Sequence, residues 1–280
     1  MSLLMAIFLG FVQGVTEFLP VSSSGHLSIL QNIFNLHYSE AEHMFFDVLL
    51  HMGTLAAVFI VYRKDIKQMI SETLGALTGK DEAGISARGG RLSPNVRTAL
   101  FVVIGTIPLF IILPFYDKIE SLYSNTIFIA FALIVTGAIL YITDKMEPGN
   151  KNEKTMTLTD SVIIGAAQAC AVIPGLSRSG ATVSAGISRG LKKDFALKFS
   201  MLLSIPAVLG SLLVTLIKAI SAGITWSLFP IYLVGAVVAG VTGYFALNVF
   251  RYLIAKNKFG VLAYYCFGVG ALTLILSIIL

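Results

Sequence analysis

Apolar runs long enough to cross a bilayer recur six times along the chain, at about 43–63, 97–116, 126–143, 195–219, 229–247 and 259–280. About 20 apolar residues in helical form cover the hydrocarbon thickness, so each run predicts one spanning helix. Two further apolar stretches, 3–35 and 161–190, do not fit that template because proline, glycine and serine interrupt them: LPVSSSGH at 19–26 and IPGLSRSGAT at 173–182. Each predicts two half-helices around a polar loop. Irregular backbone at membrane depth survives only when buried in protein or lining a wet cavity, since lipid cannot satisfy its peptide groups. Both stretches are therefore expected to be re-entrant helix–loop–helix hairpins, and their loops to carry a site.

The two interrupted stretches match each other at an offset of 155: Gly10 with Gly165, Gln13 with Gln168, Ser22 with Ser177, Ser24 with Ser179 and Gly25 with Gly180. That pattern predicts an internal repeat, with repeat 1 at about 1–143 and repeat 2 at about 160–280 of a single polytopic domain, 1–280. Charge then predicts its sense. The segments 63–97, 144–160, 189–198 and 251–258 hold 17 of the 20 basic residues, and the opposite side holds only Lys118 and Lys218. By the positive-inside rule the first group is cytoplasmic, giving cytoplasmic loops at about 64–96 and 144–159 and both termini outside. The first hairpin then enters from outside and the second from the cytoplasm, an inverted-topology repeat. If 161–190 were instead a full crossing, the seven basic residues after it would face outward. The expected fold class is all-α integral membrane: six transmembrane helices plus two re-entrant hairpins.

Composition agrees, with 56% hydrophobic and only 12% charged residues and a mean hydropathy of +0.85, where soluble domains carry about 25% charge. The net charge of +5 is spread between apolar runs and forms no continuous basic face, so a nucleic-acid partner is not expected. Cys170 and Cys266 lie inside apolar segments and suggest neither a disulfide framework nor a metal cluster. The segment MSLLMAIFLG lacks a basic leader and a small-residue cleavage site and is read as part of the mature chain.

Arg178 is the one basic residue that this topology places inside the membrane, at a cost of about 2.5–3.5 kcal/mol on insertion scales unless an anion accompanies it. Glu17 is one candidate partner, through a plain ion pair, and a phosphorylated ligand is another, since the guanidinium fork fits phosphate oxygens. Ser22, Ser23, Ser24 and Gly25 in the first loop, and Ser177, Ser179, Gly180 and Thr182 in the second, each precede or open a new helix. Unpaired N–H groups there favour an anion, although serine capping accounts for either loop taken alone. Two such loops plus Arg178 suit a pyrophosphate. The first loop also carries Glu17, Ser23 and His26, so phosphoryl transfer would take Ser23 as nucleophile, Glu17 or His26 as proton acceptor, and Arg178 as charge stabiliser. Asp47 and His51, four apart on the first span, share a face and read as a structural hydrogen-bonded pair. Pro108, Pro114 and Pro206 read as helix kinks or ends.

The residues QGVTEFLPVSSSGH from Gln13 to His26, PGLSRSGAT from Pro174 to Thr182, and FDVLLHMG from Phe46 to Gly53 resemble the undecaprenyl pyrophosphate phosphatase family associated with bacitracin resistance. The resemblance covers nearly the whole chain. It implies hydrolysis of undecaprenyl pyrophosphate to undecaprenyl phosphate and inorganic phosphate at the outer face of the bacterial cytoplasmic membrane. That reaction recycles the lipid carrier for peptidoglycan synthesis and confers bacitracin resistance. It also implies catalytic roles for Glu17, Ser23, His26 and Arg178, to which the loop chemistry adds substrate binding by Gln13, Ser22, Ser24, Gly25, Ser177, Ser179, Gly180 and Thr182. Gln13 departs from the pattern, since many relatives carry glutamate there and an amide is neither a base nor a strong cation ligand. No tightly bound cofactor is expected, and a magnesium or calcium ion would arrive bridged to the pyrophosphate. Partners are the polyprenyl pyrophosphate and membrane lipids, with a homodimer compatible with the sequence. An inverted-repeat transporter or lipid flippase for a phosphorylated substrate is the competing reading. A phosphatidic-acid type phosphatase would need a histidine after the SRSG segment, and all four histidines lie at or before position 51.

Overall fold

The structure is a computed structural model describing residues 1–33, 40–78, 92–147, 149–222 and 226–279. Twelve α-helices follow in order: α1 Leu3–Phe18, α2 Ser23–Ile33, α3 Glu40–Val61, α4 Arg63–Thr78, α5 Pro94–Ile112, α6 Tyr116–Glu120, α7 Thr126–Asp144, α8 Leu158–Cys170, α9 Arg178–Ser188, α10 Lys193–Ala222, α11 Phe229–Ala255 and α12 Val261–Ile279. No strand occurs among the described residues. Six stretches are long and apolar enough to span a membrane: Met44–Val61, Pro94–Phe115, Thr126–Asp144, Lys193–Ser221, Trp226–Ala255 and Val261–Ile279. They match the six apolar runs read from the sequence, and the chain is an all-α, multi-pass membrane protein. Phe110, Leu213, Ile217 and Phe245 are each more than 60% exposed on these helices, a dense apolar surface that lipid, not water, covers.

The interrupted stretches each form two short helices around a loop. α1 stops before Pro20 because the residue preceding proline is forced out of helical ψ, and Leu19 has ψ 136°. α8 opens with a capping box in which Thr157 and Asp160 satisfy each other's backbone N–H, and stops ahead of Pro174 and Gly175. α2 begins at Ser23 and α9 at Arg178, and they end at Ile33 and Ser188, so both pairs of bounds differ by the repeat offset.

Packing repeats the same contacts twice. α1 runs along α11, and α8 along α5. A Cβ on Gly10 would sit 2.4 Å from Gly235 O, and one on its repeat mate Gly165 would sit 2.2 Å from Gly105 O. Only glycine admits backbones this close. The loops touch reciprocally: Gly25 abuts Gly175, while Gly180 abuts Pro20. Each loop is also tied to a long helix. Thr136 Oγ1 on α7 donates to Gly175 O at 3.0 Å, and Cys266 Sγ on α12 donates to Pro20 O at 3.8 Å. Cys266 is thus a buried free thiol with a structural contact, and Cys170 is free and exposed.

The lysine-rich end differs from a bare loop. Residues 63–78 form the helix α4, with Asp65 in its first turn and Ile66 buried, and Glu72 accepts from Ser93 Oγ and from Asn95 Nδ2 at the start of α5. Its unbranched polar residues favour helix, and acidic Asp65 suits the positive end of the helix dipole. Lys80, Arg88 and Arg91 lie outside the described residues. Asp160, fully buried, accepts from Lys151 Nζ at 2.9 and 3.0 Å and from Arg189 Nε at 3.0 Å. Burial would raise its carboxyl pKa, but Lys151, Thr157 and Arg189 outweigh that and hold it down at about 2. At the opposite end Lys218 pairs with Glu120 at 3.0 Å. Pro108 and Pro206 lie inside α5 and α10, and Pro114 sits in the 3-10 turn Leu113–Phe115 that ends α5.

Candidate active site

Both loops are built on the same device. Ser22 Oγ accepts from Gly25 N at 3.2 Å and contacts Ser24 Oγ at 3.4 Å, and Ser177 Oγ accepts from Gly180 N at 3.1 Å and contacts Ser179 Oγ at 3.2 Å. These serines cap α2 and α9. Ser22 does so with φ +70°, a left-handed conformation that costs a non-glycine residue about 1–2 kcal/mol. His26 holds that residue in place. Its backbone N–H and its ring Nδ1 both reach Ser22 O, at 3.2 and 2.8 Å. Because a carbonyl only accepts, Nδ1 carries the proton, and Nε2 accepts the Tyr265 hydroxyl at 2.9 Å. The two rings stack at 5.6 Å.

The residue after each cap differs in kind. Position 23 is a hydroxyl and position 178, its mate, is a guanidinium, and Glu17 joins them. Glu17 Oε2 accepts from Ser23 Oγ at 2.7 Å and from Gln13 Nε2 at 3.1 Å, and Glu17 Oε1 accepts from Arg178 Nη2 at 2.5 Å. The carboxylate is buried, and such an ion pair holds because every oxygen is satisfied. Arg178 Nη1 has no partner among the described residues, so the guanidinium has one arm on Glu17 and one unspent.

These groups line a cavity of about 180 Å³ whose walls include Glu17, Ser22, Ser23, Ser24, Ser177 and Arg178. A second hollow of about 630 Å³, lined by Gln31, Asn32, Asp47, Glu120 and Ser124 among others, adjoins it through shared Ser24, His51, Tyr123 and Ser211. It lies toward the Lys218–Glu120 end, away from the lysine-rich segments.

The structure brings Gln13, Glu17, Ser23 and Arg178 into one hydrogen-bonded chain across the two hairpins. Ser22, Ser24 and Ser177 line the cavity beside Glu17, Ser23 and Arg178, whereas His26, Gly25, Ser179, Gly180 and Thr182 do not. His26 faces Tyr265 with both ring nitrogens engaged and is not among the residues that line the cavity. Gly25 is packed against Gly175. Ser179 and Gly180 are turned into the α9 cap, and Thr182 bonds Ser200 Oγ at 2.6 Å and Arg178 O at 2.8 Å.

His51 does line the cavity, with Nε2 3.9 Å from Glu17 Oε2. Its Nδ1 donates to the main-chain carbonyl of Asp47 at 2.8 Å, so the four-residue spacing sets the ring by a backbone bond where a side-chain pair was expected. Gln168 also lines it. The repeat marked Gln168 as the mate of Gln13, and that was the available signal.

A family profile described as bacitracin resistance protein BacA matches residues 6–272. The chain is 41% identical to the undecaprenyl-diphosphatase of Methanobrevibacter smithii over 280 residues, covering 99% of each chain. It is 38% identical to that of Alkaliphilus metalliredigens, covering 98% of each. Against that of Halothermothrix orenii the identity is 35%, covering 99% of each.

Proposed function

The chain belongs to the BacA family of bacitracin-resistance proteins, and on that premise we propose how its site hydrolyses undecaprenyl pyrophosphate to undecaprenyl phosphate and inorganic phosphate. It is a membrane-embedded phosphoric anhydride hydrolase, and its family role is recycling of the carrier lipid for the cell wall. The single observation that carries the chemistry is the relay Ser23 Oγ, Glu17, Arg178, in which a hydroxyl and a cation from different hairpins share one carboxylate.

In the proposed course the diphosphate enters the cavity and takes the unspent arm of Arg178. Ser23 Oγ attacks the terminal phosphorus while its proton passes to Glu17 Oε2, and the bond between that phosphorus and the bridging oxygen breaks. The electron pair leaves with undecaprenyl phosphate. Water then attacks the phosphoserine, the bond between phosphorus and Ser23 Oγ breaks, Oγ takes back the proton held on Glu17 Oε2, and inorganic phosphate departs carrying the protons of the water. Arg178 and the N–H groups opening α2 and α9 neutralise charge on the equatorial oxygens, an effect worth about 2.7–4 kcal/mol per well-placed donor in comparable sites. His26 fixes the Ser22 turn that aims Ser23.

A divalent cation fits only as a companion of the diphosphate. Among the described residues Glu17 is the one carboxylate lining the cavity, it already accepts from three donors, and no group of three His, Cys, Asp or Glu gathers. Magnesium or calcium bridged to the substrate would supply charge neutralisation, and none of the steps above runs through it.

We further propose that the hairpins are re-entrant and oppositely inserted in the cytoplasmic membrane, with the site open to the outer face. The hollow that adjoins the site through Ser24, His51, Tyr123 and Ser211 lies at the end opposite the lysine-rich segments, which supports that sense. The prenyl chain remains in lipid while its head enters the cavity.

The test is phosphate release by the purified protein in detergent from undecaprenyl pyrophosphate. Steady release that Arg178→Ala abolishes supports the reading. Absence of release, with lipid movement in liposomes instead, favours the transporter.

A further inference from the structure

Gln168 sits near the end of α8, 1% exposed, on the wall of the cavity that also holds Arg178, and neither its Oε1 nor its Nε2 has a hydrogen-bond partner among the described residues. Buried polar atoms are nearly always bonded, and an unmet one costs about 1–3 kcal/mol. Because both ends are unmet, exchanging the amide nitrogen and oxygen does not relieve it.

The repeat explains how this arises. In the first hairpin Gln13 is held by Glu17, four residues on. At the same offset in the second hairpin Gln168 is followed by Val172, and the hydroxyl of Ser23 is replaced by Arg178. The first hairpin therefore carries the acceptor and the nucleophile, while the second lacks the matching carboxylate and presents two buried, unpaired donors, Gln168 Nε2 and Arg178 Nη1, beside the unpaired Gln168 Oε1. A wall of unpaired donors calls for a ligand made of acceptors.

Resting on the phosphatase reading above, we propose that Gln168 is a ligand of the substrate diphosphate, its Nε2 donating to a non-bridging oxygen of the phosphoryl group that Arg178 holds. Its Oε1 is then left to a water. The amide discriminates for the diphosphate head, and it takes no part in moving the Ser23 proton.

Two substitutions test this in the purified full chain. Gln168→Met keeps the side-chain length and removes both hydrogen-bonding ends, and Gln168→Glu adds a negative charge facing the substrate. The expected result is a KM for undecaprenyl pyrophosphate raised about tenfold by Met and about a hundredfold by Glu, with kcat changed less than threefold. Without ligand, the Met variant melts at or above the wild-type temperature, because no internal bond is lost. Methylenediphosphonate raises the melting temperature of the wild type and not of the Met variant. If the Met variant does not fold, Gln168→Asn, which retracts the amide by one methylene, reads the same KM. A KM within twofold of wild type, or a Met variant that melts lower yet keeps its diphosphonate response, overturns the proposal. Failure of the phosphatase reading shows differently, as a wild type that releases no phosphate. In that case the diphosphonate arm still decides for or against Gln168 as an anion ligand.

Discussion

Replacing Glu17 with glutamine keeps the side chain's shape and removes only its charge, so the structure allows the consequence to be worked out. Three donors converge on the carboxylate: Ser23 Oγ at 2.7 Å, Gln13 Nε2 at 3.1 Å and Arg178 Nη2 at 2.5 Å. An amide has one accepting oxygen. If it faces Ser23 and Gln13, its NH₂ meets the Arg178 N–H groups, and if it faces Arg178, Ser23 loses its acceptor. Either orientation forfeits a charge-assisted bond worth about 1.5–3 kcal/mol and removes the proton acceptor, whose loss costs about 10²–10⁴ in rate. Yet the substitution frees Arg178, which then has both arms for the diphosphate. Glu17→Gln is therefore expected to lower kcat by 10²–10⁴ while KM stays within about threefold or falls, the signature of an interaction used in the transition state. The assay is steady-state phosphate release in detergent, with circular dichroism melting to verify the fold. A variant that keeps more than a tenth of wild-type kcat, or that loses activity through KM alone, would refute the assignment of Glu17 as the acceptor.

Ser23→Ala is expected to reduce kcat at least a thousandfold and to abolish any acid-stable phosphoenzyme; normal turnover would replace Ser23 by a directly attacking water. Tyr265→Phe removes the hydroxyl that fixes His26, which in turn fixes the left-handed Ser22, and a loss in kcat of about three- to tenfold without change in KM is expected from kinetics at saturating substrate. Gly165→Val drives a side chain into Gly105 O, so this variant should show little monodisperse protein in detergent by size-exclusion chromatography, whereas Gly268→Ala, with open space around it, should behave as wild type. Asp160, held down at about 2 from an ordinary value near 3.8, stabilises the fold fully above pH 4 and loses that contribution as pH falls toward 2. The melting temperature of the wild type should drop over that window more steeply than that of Asp160→Asn, which should already melt lower at neutral pH.

The six spans were legible because twenty-residue apolar runs have few other uses, and the hairpin loops because proline and glycine at 20 and 174–175 cannot continue a helix. The Glu17–Arg178 pairing was legible for an energetic reason, since an intramembrane arginine needs an anion. What escaped depended on contacts remote in sequence. The orientation of the His26 ring turns on Tyr265, 239 residues away, and nothing local marks a ring that meets a distant hydroxyl. His51 reaches the cavity because α3 packs beside α1, a fact of helix rotation and not of spacing. The α4 helix was hidden by its charge, which marks a segment as polar without saying whether it coils. Gln168 was visible as a repeat mate, but its lack of a partner follows from Val172, whose importance appears only beside Glu17.

The carboxylate and the guanidinium that complete the site are separated by 161 positions. During synthesis the segment bearing the hydroxyl leaves the ribosome long before the one bearing the cation. A nascent or truncated polypeptide accordingly lacks the Glu17–Arg178 contact, which forms only once the later half has docked against the earlier one.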